Sequence, residues 1–112
     1  ESAIEPACLR LRHPDGAVRL RAARLLQGYS GKAPIPVAPL VAVLNDDHTD
    51  VRLVALRIVA DASAEAASAL PDLKRAFQQE LDQPGYGSFK DRKSRERYLQ
   101  SLGDVIRKLE SM

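Results

Sequence analysis

The chain has 112 residues, 45% hydrophobic but only 4% aromatic, with no tryptophan. Lys and Arg number 17 against 15 Asp and Glu, a net charge of +2, so any hold on nucleic acid must come from local clustering and not from bulk charge. The lone Cys8 excludes an internal disulfide, and no apolar run approaches the ~20 residues of a membrane span.

This length suits one domain, 1–112, with a modest core built from Ala, Leu, Val and Ile, a mixture that favours helix. The chain opens at Glu1 without Met or a basic-then-apolar leader, which reads as a fragment or a processed product. The compartment is therefore left open, with the cytoplasm as the favoured expectation.

A first unit spans about 2–28. Pro6 opens the apolar stretch Ala7-Cys8-Leu9, and proline suits an opening helical turn because its ring sets φ and its missing N–H would lack a partner there. Cys8 reads as a small buried apolar residue, with a reactive thiol as the alternative. The turn His13-Pro14-Asp15-Gly16 leads to a second helix with Val18, Ala22, Leu25 and Leu26 on one face of a 3.6-residue period. Gly28, Gly31, Pro34 and Pro36 mark the link to the next unit.

The second unit spans about 36–62. Pro39 opens Leu40 to Leu44, and the polar turn from Asn45 to Asp50 places Asp50 as N-cap of a helix starting at Val51. Val51, Ala55, Ile58 and Val59 repeat the spacing of the first unit. A third unit spans about 65–110. It has a helix around Pro71 over roughly 65–82, a breaker at Gln83-Pro84-Gly85-Tyr86-Gly87, and a last helix over about 91–110. Tyr98, Leu99, Leu102, Val105, Ile106 and Leu109 share one side of that helix.

Two rulers measure the repeat. Val18-Arg19-Leu20 and Val51-Arg52-Leu53 begin matching segments at an offset of 33, which also sets Arg24 on Arg57. Pro6, Pro39 and Pro71 are spaced by 33 and 32. Arg95, Leu99 and Leu102 align with Arg52, Leu56 and Val59 at an offset of 43, so the third unit holds an insertion of about ten residues at 83–91. Periods of this length indicate stacked repeats. The expected fold is all-α, a right-handed α-solenoid of about three helical hairpins, six helices in all.

A Pro-led helix, an acidic turn and a helix opening Asp50-Val51-Arg52 resemble HEAT repeats, in particular the short type associated with bilin lyases. The resemblance covers nearly the whole chain. The first unit keeps Val18 and Arg19 with Ala17 at the Asp place, and the third has Ser94 in place of the Val. It implies a curved helical stack whose second helices line a concave surface used mainly for holding other proteins. Pro6, Pro39, Pro71, Arg19, Arg52 and Asp50 are the structural positions of the repeat. An arginine at the first turn of an otherwise apolar face can bridge to the turn carboxylate of a neighbouring repeat. Ligand binding is its alternative role.

Catalytic constellations are thin. His13 and His48 lie in turns near Asp15, Asp46 and Asp47, where turn capping competes with a metal site. Neither is followed by Glu, so the hydroxylase chemistry of some HEAT-like enzymes is not supported. Cys8 has no marked His partner and no Ser sits in a Gly-x-Ser-x-Gly elbow. Gly85-Tyr86-Gly87 lacks the Lys-Ser/Thr of a phosphate loop and reads as a flexible turn. The expectation is a non-enzyme without cofactor or metal.

Two basic clusters remain. Arg10, Arg12, Arg19, Arg21 and Arg24 lie within fifteen residues, and Lys90, Arg92, Lys93, Arg95 and Arg97 within eight, with Phe89 and Tyr98 at the edges of the second. Asp91 and Glu96 interleave that run, so a solvated charged face competes with an anion-binding patch. The candidate binding residues are Arg21, Arg24, Arg57, Lys90, Arg92, Lys93, Arg95 and Arg97. The leading expectation is a protein-interaction scaffold, binding on its concave second-helix face and at the basic 83–97 insertion. The alternative is binding of nucleic acid, phosphate or an acidic segment through the clusters. Self-association through Leu99–Leu109 or the first helix is a further expectation.

Overall fold

The structure is a computed structural model and describes residues 3–44, 46, 48–62, 65–85 and 89–111. Asn45, Asp47, Tyr86 and Gly87, which belong to two of the turns read above, lie outside those residues. All regular structure among the described residues is helical: α1 (Ile4–Arg10), α2 (Gly16–Tyr29), α3 (Ala38–Ala42), α4 (Thr49–Ala62), α5 (Leu70–Leu81) and α6 (Arg92–Glu110).

Each prolyl landmark sits in a first turn. Pro6 is the third residue of α1, and Pro39 and Pro71 are the second residues of α3 and α5. The helix expected over 65–82 is divided. A 3-10 segment, Glu65–Ala69, precedes α5, because a continuous α-helix through Pro71 would lose a hydrogen bond and press its ring on the carbonyl four residues back.

Caps define the long helices. Asp15 accepts the Ala17 N–H at 2.9 Å and starts α2 at Gly16, two residues ahead of Val18. Asp91 does the same for α6 through the Ser94 N–H at 2.8 Å. Asp50 is not the cap expected of it. Thr49 already belongs to α4, so Asp50 stands inside the first turn, exposed, where its charge suits the positive end of the helix dipole. At the far end of α2, Gly31 takes φ +80, a left-handed conformation that costs a glycine least, and Pro34 and Pro36 keep the link from turning helical.

Each shorter helix packs on the longer one that follows it: α1 on α2, α3 on α4, α5 on α6. The long helices pack in chain order, α2 on α4 and α4 on α6. The molecule measures 41 × 36 × 18 Å, its short dimension thin enough for two helix layers. α4 is therefore the central element. Its Val51, Ala55, Leu56, Ile58 and Val59 are all buried, and Leu26, Leu40, Leu73 and Leu102 close around it. Removing one such buried leucine side chain to Ala costs about 2–5 kcal/mol.

Candidate functional site

Three arginines, Arg19, Arg52 and Arg95, organise the edge where short helices turn into long ones. Arg19 donates from Nε and Nη2 to both oxygens of Asp46, at 2.6 and 3.2 Å, and from Nη1 to the carbonyls of His13 and Pro14 at 2.8 and 2.9 Å. Arg52 donates from Nε to the Asp46 carbonyl, and its Nη1 lies 3.7 Å from Glu80 Oε1. Arg95 donates from Nη2 to the Glu80 carbonyl at 2.7 Å and from Nε to Glu80 Oε2 at 3.2 Å. Each guanidinium thus takes a carbonyl from the turn or helix end before its own helix. Arg19 and Arg52 also reach a carboxylate further along the chain, Asp46 before α4 and Glu80 on α5. Planar guanidinium groups suit this because they place several donors in a fixed fork.

Arg52 is the most enclosed of the three, at 2% exposure. Its guanidinium carbon lies 4.1 Å from the centre of the Phe89 ring and 5.2 Å from that of Tyr98, and the two rings are 5.2 Å apart. Stacking on aromatic faces replaces part of the hydration a buried cation loses. Tyr98 donates its hydroxyl to the Leu44 carbonyl at 2.9 Å, and burial pushes its phenol up to about 12, with Arg52 opposing the shift and Glu80 adding to it. The sequence sets Phe89 and Tyr98 at the edges of a basic cluster. Here both are buried, and they anchor the end of the insertion on α4 instead of presenting aromatic faces to a ligand. Glu80 was not singled out by the sequence reading, although it stands one repeat beyond Asp46.

The basic clusters divide by exposure. Arg10, Arg12, Arg21 and Arg24 of the first are exposed, while Arg19 is turned inward. Lys90, Arg92, Lys93 and Arg97 of the second are exposed at the start of α6, and Arg95 is held on Glu80. Arg92 pairs with Glu96 at 3.8 Å on an exposed face, where such pairs contribute little. Arg57 is exposed on α4, one repeat from Arg24 on α2.

His13 is exposed and accepts the Asp15 N–H on Nδ1 at 3.0 Å. His48 packs against Gly16, where an added Cβ would come within 2.9 Å of the imidazole. Among the described residues no group of three or more His, Cys, Asp or Glu could hold a metal ion. Cys8 is half-buried rather than buried as expected, and its thiol is pushed up by burial and then by Glu5, away from the reactive thiolate. No helix among the described residues is long and apolar enough to cross a membrane.

No family model matches the chain, and neither a curated protein nor a solved structure matches it significantly.

Proposed function

We propose that this chain is a short right-handed α-solenoid of three HEAT-type hairpins, and that it works as a protein-interaction module. The observation that carries the reading is the recurrence of the arginine bridge. Arg19 reaches Asp46 in a two-point pair and Arg52 reaches Glu80 at 3.7 Å, so each ties its unit to the next, and stacked repeats are held by such contacts between neighbours. A frame tied in this manner loses little conformational entropy on binding, which suits a surface meant to hold another protein. On it Arg24 and Arg57 stand exposed one repeat apart on successive long helices, with Arg97 exposed on the third. In this reading the module binds and performs no chemistry.

The test is affinity capture at high salt with the wild-type chain and with Arg24→Glu/Arg57→Glu. A partner held by wild type and released by the double variant supports the reading. Equal capture by both removes the long-helix face from it. A second reading rests on the exposed Lys90, Arg92, Lys93 and Arg97 at the positive end of α6, which suit phosphate or an acidic segment. Salt-sensitive retention on heparin or DNA, abolished by Lys90→Glu/Arg92→Glu/Lys93→Glu, would favour it.

A further inference from the structure

One row of side chains on α2 lacks the cover that its counterpart on α4 receives. Val18, Ala22 and Leu25 follow one another at i, i+4 and i+7, as do Val51, Ala55 and Ile58 at the 33-residue offset. On α4 that row is sealed, with Val51 and Ala55 at 0% and Ile58 at 1% exposure, and α2 packs against the helix. On α2, Ala22 is buried but Val18 is only half-buried and Leu25 is 42% exposed. These residues line an open groove of about 550 Å³ together with Arg10, Arg21 and Arg24. None of those three arginines has an ion pair among the described residues.

We infer that this groove takes an amphipathic helix of another protein, its apolar stripe flanked by carboxylates. The inference rests on the protein-binding reading above and names a surface and a chemistry for it. Shape supports it, since the equivalent row is buried on α4, a helix that packs against α2 and α6, and helix-in-groove recognition uses apolar anchors at this same spacing. Charge supports it too: three exposed guanidinium groups around an apolar floor, without an ion pair among the described residues, repel a basic partner and draw an acidic one.

The two nearest alternatives fit less well. A further unit of the same pattern would extend the arginine bridge, and its arginine would need a carboxylate at the position of Asp46 and Glu80. The first unit has His13 there, already accepting from Asp15. A second copy would have to offer an acidic amphipathic helix. The longest helix among the described residues, α6, instead exposes five basic residues, Arg92, Lys93, Arg97, Arg107 and Lys108, against three acidic ones, Glu96, Asp104 and Glu110.

The probe is a labelled synthetic helix of about eighteen residues, roughly five turns, with Leu at i, i+4 and i+7 and Glu on both flanks. Two control peptides accompany it: a scramble of the same composition, and the same pattern with Lys for Glu. Fluorescence anisotropy should show the acidic amphipathic helix binding at least about tenfold more tightly than either control. Leu25→Asp, at an exposed position that leaves the core intact, should weaken it by about tenfold or more. Arg21→Glu/Arg24→Glu should turn the preference toward the Lys peptide. Equal binding of helix and scramble, or indifference to Leu25→Asp, overturns the proposal. So does a dimer in sedimentation that Leu25→Asp dissociates, since the occupant is then a second copy. Loss of peptide binding with high-salt capture through Arg24 and Arg57 retained would overturn this groove alone and leave the broader function standing.

Discussion

Arg19 and Asp46, 27 residues apart in the chain, meet in a two-point ion pair whose side chains are only 15% and 5% exposed. The pair ties α2 to the turn before α4, and its remaining hydrogen-bonding capacity is used on the carbonyls of His13 and Pro14 and the N–H of His48. Charges so far withdrawn from water are costly when one partner is lost. Arg19→Ala should lower the unfolding free energy by about 3 kcal/mol, read from urea midpoints. Arg19→Lys should recover less than half of it, because an ammonium has no fork to match the carboxylate. Joint replacement, Arg19→Met with Asp46→Leu, should cost less than the sum of the single changes. Strict additivity would mean that the two side chains are not coupled.

Arg52 is the counterpart one repeat on, and it is held by aromatic rings as well as by Glu80. Phe89→Leu should cost about 1–2 kcal/mol as the stacked cation loses its nearest ring. The insertion should loosen at the same time, seen as a reduced near-ultraviolet circular dichroism signal from Tyr98. A variant with unchanged melting and an unchanged spectrum would show that Phe89 does not anchor the segment.

Tyr98 predicts an alkaline transition. The phenol releases its proton near its ordinary value of 10 in the unfolded chain but is held to about 12 in the folded one. The stabilisation is therefore complete below pH 10 and is lost as the pH rises from 10 to about 12, an effect on the order of 2 kcal/mol. Tyr98→Phe should be less stable at neutral pH by about 1 kcal/mol, since the buried Leu44 carbonyl loses its donor. Its stability should also vary less across that alkaline window. Parallel pH profiles for the two proteins would contradict the assignment.

Asp91 predicts the opposite dependence. The Ser94 backbone N–H, and then its hydroxyl, hold this carboxyl below the usual carboxylate range. Its contribution is present above the unfolded value and fades as the pH falls through the folded one. Asp91→Ala should speed hydrogen exchange at the Ser94 amide while leaving the end of α6 unchanged. Acid should produce the same local opening in the wild type, and unchanged Ser94 exchange in both would remove the cap.

The helices themselves were legible because helix formation depends on neighbours three and four residues away. The prolines at 6, 39 and 71, the rows at Val18, Ala22, Leu25 and Val51, Ala55, Ile58, and the apolar side from Tyr98 to Leu109 placed α1 to α6 to within a few residues. The boundaries were less so: Asp50 was read as a cap but stands inside a helix that already begins at Thr49, and the stretch before α5 wound as a 3-10 segment because Pro71 forbids an α-helix through it.

Arg19 and Arg52 could be picked out by their offset, and a turn carboxylate was the expected partner, as Asp46 is for Arg19, whereas Glu80 and the aromatic rings around Arg52 could not be foreseen. Whether an arginine in a basic run faces water or is buried depends on what can replace its hydration. Those replacements, Glu80 on α5, Phe89 at the end of the insertion and Tyr98 on α6, come from segments far along the chain. Arg95 and Arg97 both belong to the basic run read as a candidate binding surface, although only Arg95 aligns with Arg52. Packing turns one onto Glu80 and leaves the other in solvent, because only one of them meets a carboxylate and a carbonyl at the distance a guanidinium needs.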